Sequence, residues 1–241
     1  MILRPSQREQ VLPLPVALIS TVSEGGVRNV APWSNLTPIL RPLDEIVLAS
    51  WIKRDTLDNI RATGEFVVSI PTASMVDEVM ICARNYPPDV DEFEEAGLAP
   101  RPSVKVRPPG VKGCLAWMEC VLKEEIARKN FSLVIGEVIH LEADDRYFND
   151  SGEMDFERAQ PLSVMLGREG MWFTRPVRSG RFARYAEMAA GRKDLQAVAK
   201  LAGEPVEVVL AQQEVIAVVQ DGDPAIVFQA VGDGAQGQPL G

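Results

Sequence analysis

Two long runs near the middle of the chain, "CLAWMECVLKEEI" (Cys114 to Ile126) and "SLVIGEVIHLEAD" (Ser132 to Asp144), constrain the fold more than any other feature. Neither contains proline, each is bounded by turn or polar residues, and the short "ARKNF" between them can bring them side by side as paired strands. Shorter strands precede them. "VALISTV" (Val16 to Val22), "SEGG" and "VRNVAP" (Val27 to Pro32) read as a hairpin, with β-branched residues on either side of a glycine pair able to take positive φ. After the proline-rich connection "TPILRPLDE" come "IVLAS" (Ile46 to Ser50) and "EFVVSI" (Glu65 to Ile70), two more apolar strands.

Helices are few and short. "DTLDNIRATG" is a helix whose first turn Asp55 or Thr56 can cap, with Leu57 and Ile60 on one face and Gly64 as its stop. "SMVDEVMICAR" (Ser74 to Arg84) has Ser74 and Asp77 at capping-box spacing, and "DEFEEAGL" (Asp91 to Leu98) is closed by a glycine. "APRPSVKVRPPGVKG" is extended by its prolines. About six strands joined mostly by short turns predict a mainly β fold, an antiparallel sheet closing into a β-barrel with helical additions. Beyond "MWFTRP" the character changes: "GRFARYAEMAAGRKDLQAVAKLAGE" is helix-rich and alanine-rich, "EVIAVVQDGDPAIVFQAV" can form a hairpin, and "GDGAQGQPLG" is frayed in character. Residues 1–178 are therefore expected to form the principal domain and residues 179–241 a C-terminal extension.

With 241 residues, 46% of them hydrophobic, the chain can bury a full core. A net charge of -9 argues against a sequence-independent hold on nucleic acid or anionic lipid, and no apolar run approaches the roughly 20 residues of a membrane span. The N-terminus "MILRPSQREQ" has no apolar signal core, so the expected address is the cytoplasm and the expected partner a small molecule. Cys82, Cys114 and Cys120 follow no metal-ligand spacing, and on one strand Cys114 and Cys120 would lie about 20 Å apart. The single histidine, His140, removes every multi-histidine metal site, and no metal is expected. GxSxG and GxxxxGK[ST] are both absent.

Two segments carry polar groups in patterns that suit a ligand. In "VLASWIKRDTLDN", an apolar strand ends at Ser50 and a helix starts within a few residues, with Lys53, Arg54 and Thr56 between and around the two. Unpaired N–H groups at a helix start, two cations and the Ser50 and Thr56 hydroxyls together make an anion seat. Solvated surface charges with Thr56 as a helix cap are the alternative reading. In "RNVAPWSN" (Arg28 to Asn35), a strand breaking at Pro32 exposes backbone N–H and C=O groups that can meet the polar edge of a flat heterocycle, with Ser34 and Asn35 adding donors and acceptors. A plain turn with Trp33 in the core is the alternative there.

The ordered series "PVALISTVSEGGVRNVAPWSN", "KRDTLDNIRATGEFVVSIP", "MECVLKEEI", "VIGEVIHLEAD" and "PLSVMLGREGMWF" resembles the flavin reductase-like proteins, the flavoredoxin-type branch of the FMN-binding split barrels, along roughly Leu14 to Thr174. The resemblance implies an FMN-binding split barrel in which the segment carrying Asn29, Ala31, Pro32, Trp33, Ser34 and Asn35 lies along the isoalloxazine. The segment carrying Ser50, Trp51, Ile52, Lys53, Arg54 and Thr56 would take the ribityl phosphate, and Asn59, one turn into the helix, either joins it or packs locally. It further implies a homodimer with FMN near the interface, and Ala83 to Tyr86 and the region around Arg168 are the candidates for contributions from the second subunit.

The expected activity is that of an NAD(P)H-dependent flavin reductase, passing hydride from a reduced nicotinamide to flavin and on to free flavin or another small acceptor. An FMN-binding electron carrier without nicotinamide turnover and a cofactor-free split-barrel module are the alternatives. No side-chain constellation resembles a nucleophile with its base. His140 is a candidate proton donor or a strand-end residue, and Trp33 and Trp172 either border the flavin or fill the core.

Overall fold

The computed structural model describes residues 2–4, 9–39 and 43–180. The chain begins with a two-residue strand β1 (Leu14–Pro15) and the expected hairpin, β2 (Ala17–Val22) and β3 (Arg28–Trp33). Gly26 takes φ 88° at the turn, and Ser23 closes it by donating its N–H to Val27 and accepting the Val27 N–H on its Oγ. β3 does not break at Pro32 but runs through it. The Val30 N–H faces away from β2, toward Glu92 Oε2 at 3.3 Å, and alternate residues of an antiparallel strand face the same way. Pro32 therefore sits where its missing N–H costs β2 no hydrogen bond.

The proline-rich connection holds a strand that was not expected, β4 (Leu36–Pro38), paired with β5 (Glu45–Trp51). Then come α1 (Asp55–Thr63) and β6 (Glu65–Ile70). Leu57 and Ile60 are the buried face of α1, and Gly64 ends it at φ 73°. Its start differs from expectation: Arg54 is the cap residue, and no side chain of the cap bonds the first turn. The Ser74–Asp77 capping box also fails to form, because the chain first makes a 3₁₀ turn over Ala73–Met75 and the Ser74 hydroxyl pairs with Thr72 Oγ1 at 2.8 Å. α2 follows as Val76–Cys82. α3 (Glu92–Glu95) is a single turn, capped by Asp91, whose Oδ1 accepts the Phe93 N–H at 2.9 Å, and it is followed by Gly97 at φ 63°.

Short strands β7 (Pro100–Arg101) and β8 (Gly110–Val111) lead into the long pair, β9 (Ala116–Ala127) and β10 (Phe131–Ala143), then a one-turn α4 (Phe156–Ala159), β11 (Ser163–Leu166) and β12 (Met171–Thr174). The main sheet has seven strands in the order β3-β2-β6-β9-β10-β5-β4, every neighbouring pair antiparallel. Laid flat, its two edges would stand about 29 Å apart, six inter-strand spacings of about 4.8 Å. Yet the edges β3 and β4 are joined in sequence through Ser34 and Asn35 alone, a link that reaches about 11 Å at most. The sheet must curl until its edges approach, which makes a barrel left open along the β3/β4 seam.

The inner face of the curled sheet and the outer face of β3, β2, β6 and β9 are buried, each by its own set of alternating residues. Ala17, Ile19, Phe66, Val68, Met118, Cys120, Ile46, Leu48 and Val134 fill the interior together with Leu57 and Ile60 of α1. Val16, Leu18, Val67 and Trp117 face outward and pack with Met75, Val79, Phe93 and Val164. A fully buried side chain of this size contributes about 1.5–3 kcal/mol. Inside the barrel a Cβ at Gly136 would run into the Phe66 ring, so β10 needs glycine where that ring crosses it. The β9–β10 register shifts at the same place, between Ile135 and Gly136.

A three-stranded sheet, β1-β11-β12, adds Leu14, Val164 and Phe173 to the outer core. These elements belong to one unit, Met1–Ser179, and a second unit begins at Gly180. The helix-rich extension expected from residue 179 lies, beyond Gly180, outside the described residues. Among the described residues no helix is long and apolar enough to cross a membrane.

Candidate functional site

A cleft of about 380 Å³ opens at the β3/β4 seam. One wall is the free edge of β3 and the link after it: Asn29, Ala31, Pro32, Trp33, Ser34 and Asn35. The second is the end of β5 and the start of α1, with Ala49, Trp51, Lys53, Arg54, Asp55 and Thr56. Cys82 to Tyr86, at the end of α2 and beyond, and Glu92 of α3 close the third side. The two segments read separately in the sequence, 29–35 and 50–56, thus face one cleft, because the curl that brings β3 to β4 also brings it beside β5.

Several residues expected at the site do not line the cleft. Ser50 lies on the buried face of β5 and its hydroxyl donates to the Trp51 carbonyl at 2.9 Å, so it is turned from the loop it was expected to serve. Ile52 is also outside the lining, and Asn59 stands one layer behind, its Nδ2 donating to Thr21 Oγ1 at 3.0 Å. His140 lies on β10 away from the cleft, 2.9 Å from Glu142, which also pairs with Arg101. Trp172 is 76% exposed on β12 and Arg168 is in the exposed turn before that strand; neither lines the cleft. Ala83 to Tyr86, expected to act across a subunit boundary, line the cleft of their own chain.

The floor is a buried polar network. Thr56 Oγ1 donates to Asn29 Oδ1 at 2.9 Å, and Thr21 Oγ1 approaches the same oxygen at 3.3 Å. Asn29 Nδ2 donates to Glu92 Oε1 at 2.7 Å, and the other carboxylate oxygen takes the Val30 N–H. Thr21, Asn29, Thr56 and Glu92 are all buried. This chain of bonds ties α1, β3 and α3 together, so the Thr56 hydroxyl serves the floor instead of capping its helix. On the rim, Arg28 holds α3 against β3 through Asp91 at 2.6 Å and Glu94 at 3.4 Å.

Burial pushes the Glu92 carboxyl above its ordinary range, and Asp55 pushes it the same way; its bonds to backbone N–H groups and to Asn29 oppose the rise. The neighbouring Cys82 thiol is raised to about 12 by burial and by the Glu92 and Glu78 charges. Lys53 and Arg54 are exposed, and Arg54 Nη1 makes a long 3.3 Å bond to Asn85 Oδ1. Two buried donors on lining residues, Trp33 Nε1 and the Tyr86 hydroxyl, have no partner among the described residues. A buried donor without an acceptor is costly, so both fit a ligand bearing acceptors. The cleft combines a cationic end, an apolar indole wall at Trp51 and unpaired donors, which suits a flat, polar-edged molecule carrying an anionic group.

Sequence reasoning missed Glu92, Cys82 and Thr21. Glu92 sits in an acidic run, "DEFEE", that reads as a solvated helix face, and only the packing of α3 on β3 turns it inward. Trp33 both packs against the barrel core and lines the cleft.

The chain is 45% identical over 199 residues to a protein of Methanothermobacter thermautotrophicus, covering 80% of this chain and 94% of that one. Among solved structures it is similar to nitrilotriacetate monooxygenase component B from Bacillus cereus, with 27% identity, a TM-score of 0.66, and coverage of 76% of this chain and 98% of that one. Flavoredoxin of Desulfovibrio vulgaris (Miyazaki F) shares the fold, with a TM-score of 0.66 at 20% identity over 76% of this chain and 98% of that one. Residues 9–160 match the model of the flavin reductase like domain, most of the described chain, with the β3/β4 seam and both walls of the cleft inside the match. The chain belongs to the flavin reductase-like family.

Proposed function

We propose that the seam cleft binds FMN and that the protein is an NAD(P)H-dependent oxidoreductase, passing reducing equivalents from a reduced nicotinamide to flavin and on to free flavin or another small acceptor. The observation that carries the reading is the meeting, in one cleft, of the Lys53–Arg54 cations with two buried donors that have no partner among the described residues, Trp33 Nε1 and the Tyr86 hydroxyl. When bound, FMN supplies the hydride and electron transfer. The protein's own residues bind and orient. Lys53 and Arg54 meet the phosphate dianion, and the first-turn N–H groups of α1 add to the same field.

Trp33, Tyr86 and the free edge of β3 offer donors and acceptors to the polar rim of the ring, while Trp51, 63% exposed beside them, offers an apolar face. The Glu92–Asn29–Thr56 chain keeps the two walls at a fixed separation. The reading includes a homodimer. The outward face of β5 and β10 presents Val47, Ala49, Trp51, Phe131, Leu133 and Ile135 in register, with Phe131 40% exposed, and it runs up to the cleft at Trp51. A second copy would cover this face and bring its own groups toward the flavin.

The test is the visible spectrum of the freshly isolated protein, followed by anaerobic mixing with NADH or NADPH, with the mass in solution measured alongside. A yellow protein of dimer mass whose flavin absorbance bleaches is the expected result. Retained colour without bleaching supports the electron carrier instead. A colourless protein that takes up no added FMN overturns the reading.

A further inference from the structure

The floor of the cleft contains a carboxylate in an unusual position. Glu92 is 6% exposed and lines the cleft, and both of its hydrogen-bond donors, Asn29 Nδ2 and the Val30 N–H, are neutral. The cation on the same strand, Arg28, directs its guanidinium to Asp91 and Glu94. Of the other ionisable groups, Asp55 at the start of α1 and Cys82 at the end of α2 line the same cleft, as do the cations Lys53, Arg54 and Arg84; the Asp55 charge acts on Glu92, and Glu78 of α2 acts on Cys82. With two donors aimed at its two oxygens the carboxylate is held as an acceptor, while burial and Asp55 already raise its affinity for a proton.

We propose that Glu92 is a redox-linked proton store: ionised while the group in the cleft is oxidised, it takes up one proton from solvent when that group gains two electrons. The inference rests on the FMN reading above. Reduction adds negative charge to the cleft, and a second negative charge disfavours an ionised carboxylate. A unit negative charge held within about 6–10 Å of the carboxylate at an effective dielectric near 20 would raise its proton affinity roughly ten- to a hundredfold. The two electrons would be supplied as hydride by the proposed nicotinamide donor, which would itself be oxidised. The proton on Glu92 comes from water and forms one O–H bond on its carboxylate, and no other bond to Glu92 forms or breaks. Asn29 then transmits the change: loss of the Glu92 charge weakens its Nδ2 bond, and the same amide holds Thr56 at the start of α1.

The experiment is a spectroelectrochemical titration of the FMN-loaded protein and its Glu92→Gln variant across neutral pH. One extra proton per two electrons changes the equilibrium tenfold per pH unit, so the wild-type midpoint potential should fall more steeply by about 30 mV per pH unit. Glu92→Asp should keep the steeper slope. Equal slopes for wild type and Glu92→Gln would overturn the inference while leaving the FMN reading intact; failure to take up FMN would overturn both. A second measurement needs no variant. The reduced-minus-oxidised infrared spectrum of the wild type, with carbon-13 glutamate labelling, should gain the carbonyl band of a protonated carboxyl, and its absence refutes the store.

Discussion

Removing the cationic end of the cleft should weaken FMN and leave riboflavin untouched. Lys53 and Arg54 are exposed, so their bonds to a phosphate should be worth less than fully buried charge-assisted bonds and more than a median surface ion pair. About 1–1.5 kcal/mol each is a reasonable figure, and Arg54 gives up only a 3.3 Å bond to Asn85 to make its contact. The double variant Lys53→Ala/Arg54→Ala should then raise the FMN Kd by roughly 30- to 150-fold, from about 2–3 kcal/mol. Fluorescence quenching of FMN and of riboflavin by wild type and variant makes a thermodynamic cycle in which the phosphate is the difference. Added salt should weaken FMN binding to the wild type more than to the variant, since exposed charges are screened. A variant that loses FMN and riboflavin equally would show that the basic pair shapes the cleft without meeting the phosphate, and an unchanged FMN Kd would remove the pair from the site.

Gly136→Ala should destabilise the barrel by about 1–3 kcal/mol, because the added Cβ meets the Phe66 ring, and the chemical-denaturation midpoint reads this directly. Cys114 and Cys120 are fully buried and Cys82 nearly so, and burial raises all three thiols, so the native protein should resist alkylation until it is unfolded. Rapid labelling under native conditions would refute that. The Glu125 carboxyl is held below its ordinary range by Arg61, 2.5 Å away, and by Ser132. Its contribution is present above the unfolded-state value of about 4.3 and lost as pH falls through the lower folded value. Stability curves of wild type and Arg61→Ala should therefore converge on acidification below about pH 4, and a constant gap would contradict the pairing.

Much of the sheet was legible in the sequence, because strand content is a local property. The hairpin around "SEGG", the strands ending at Ser50 and starting at Glu65, and the long pair β9–β10 follow from apolar runs and turn residues alone. Local signals failed where a tertiary neighbour changed the competition. Thr56 has a helix-capping side chain, yet Asn29, 27 residues earlier, takes its hydroxyl. Pro32 reads as a strand break, yet at an edge position it interrupts no ladder. Leu36–Pro38 reads as a linker, yet β5 lends it a partner. Ser50 has the right hydroxyl for an anion, but the two-residue period of β5 turns it inward.

By itself the sequence determined six of the seven strands of the main sheet, the two polar segments around Pro32 and Lys53, and the acidic charge that argues against a general hold on polyanions; each depends on residue type and spacing within a few positions. Tertiary structure alone decided that those segments share one cleft. The two-residue link Ser34–Asn35 must join opposite edges of a seven-stranded sheet, so the sheet curls, and the curl sets β3 beside the end of β5. It also decided that Glu92, one acid in a run of acids, is the one turned into the floor, since inward or outward is a matter of what packs against a helical turn and not of the turn's own residues.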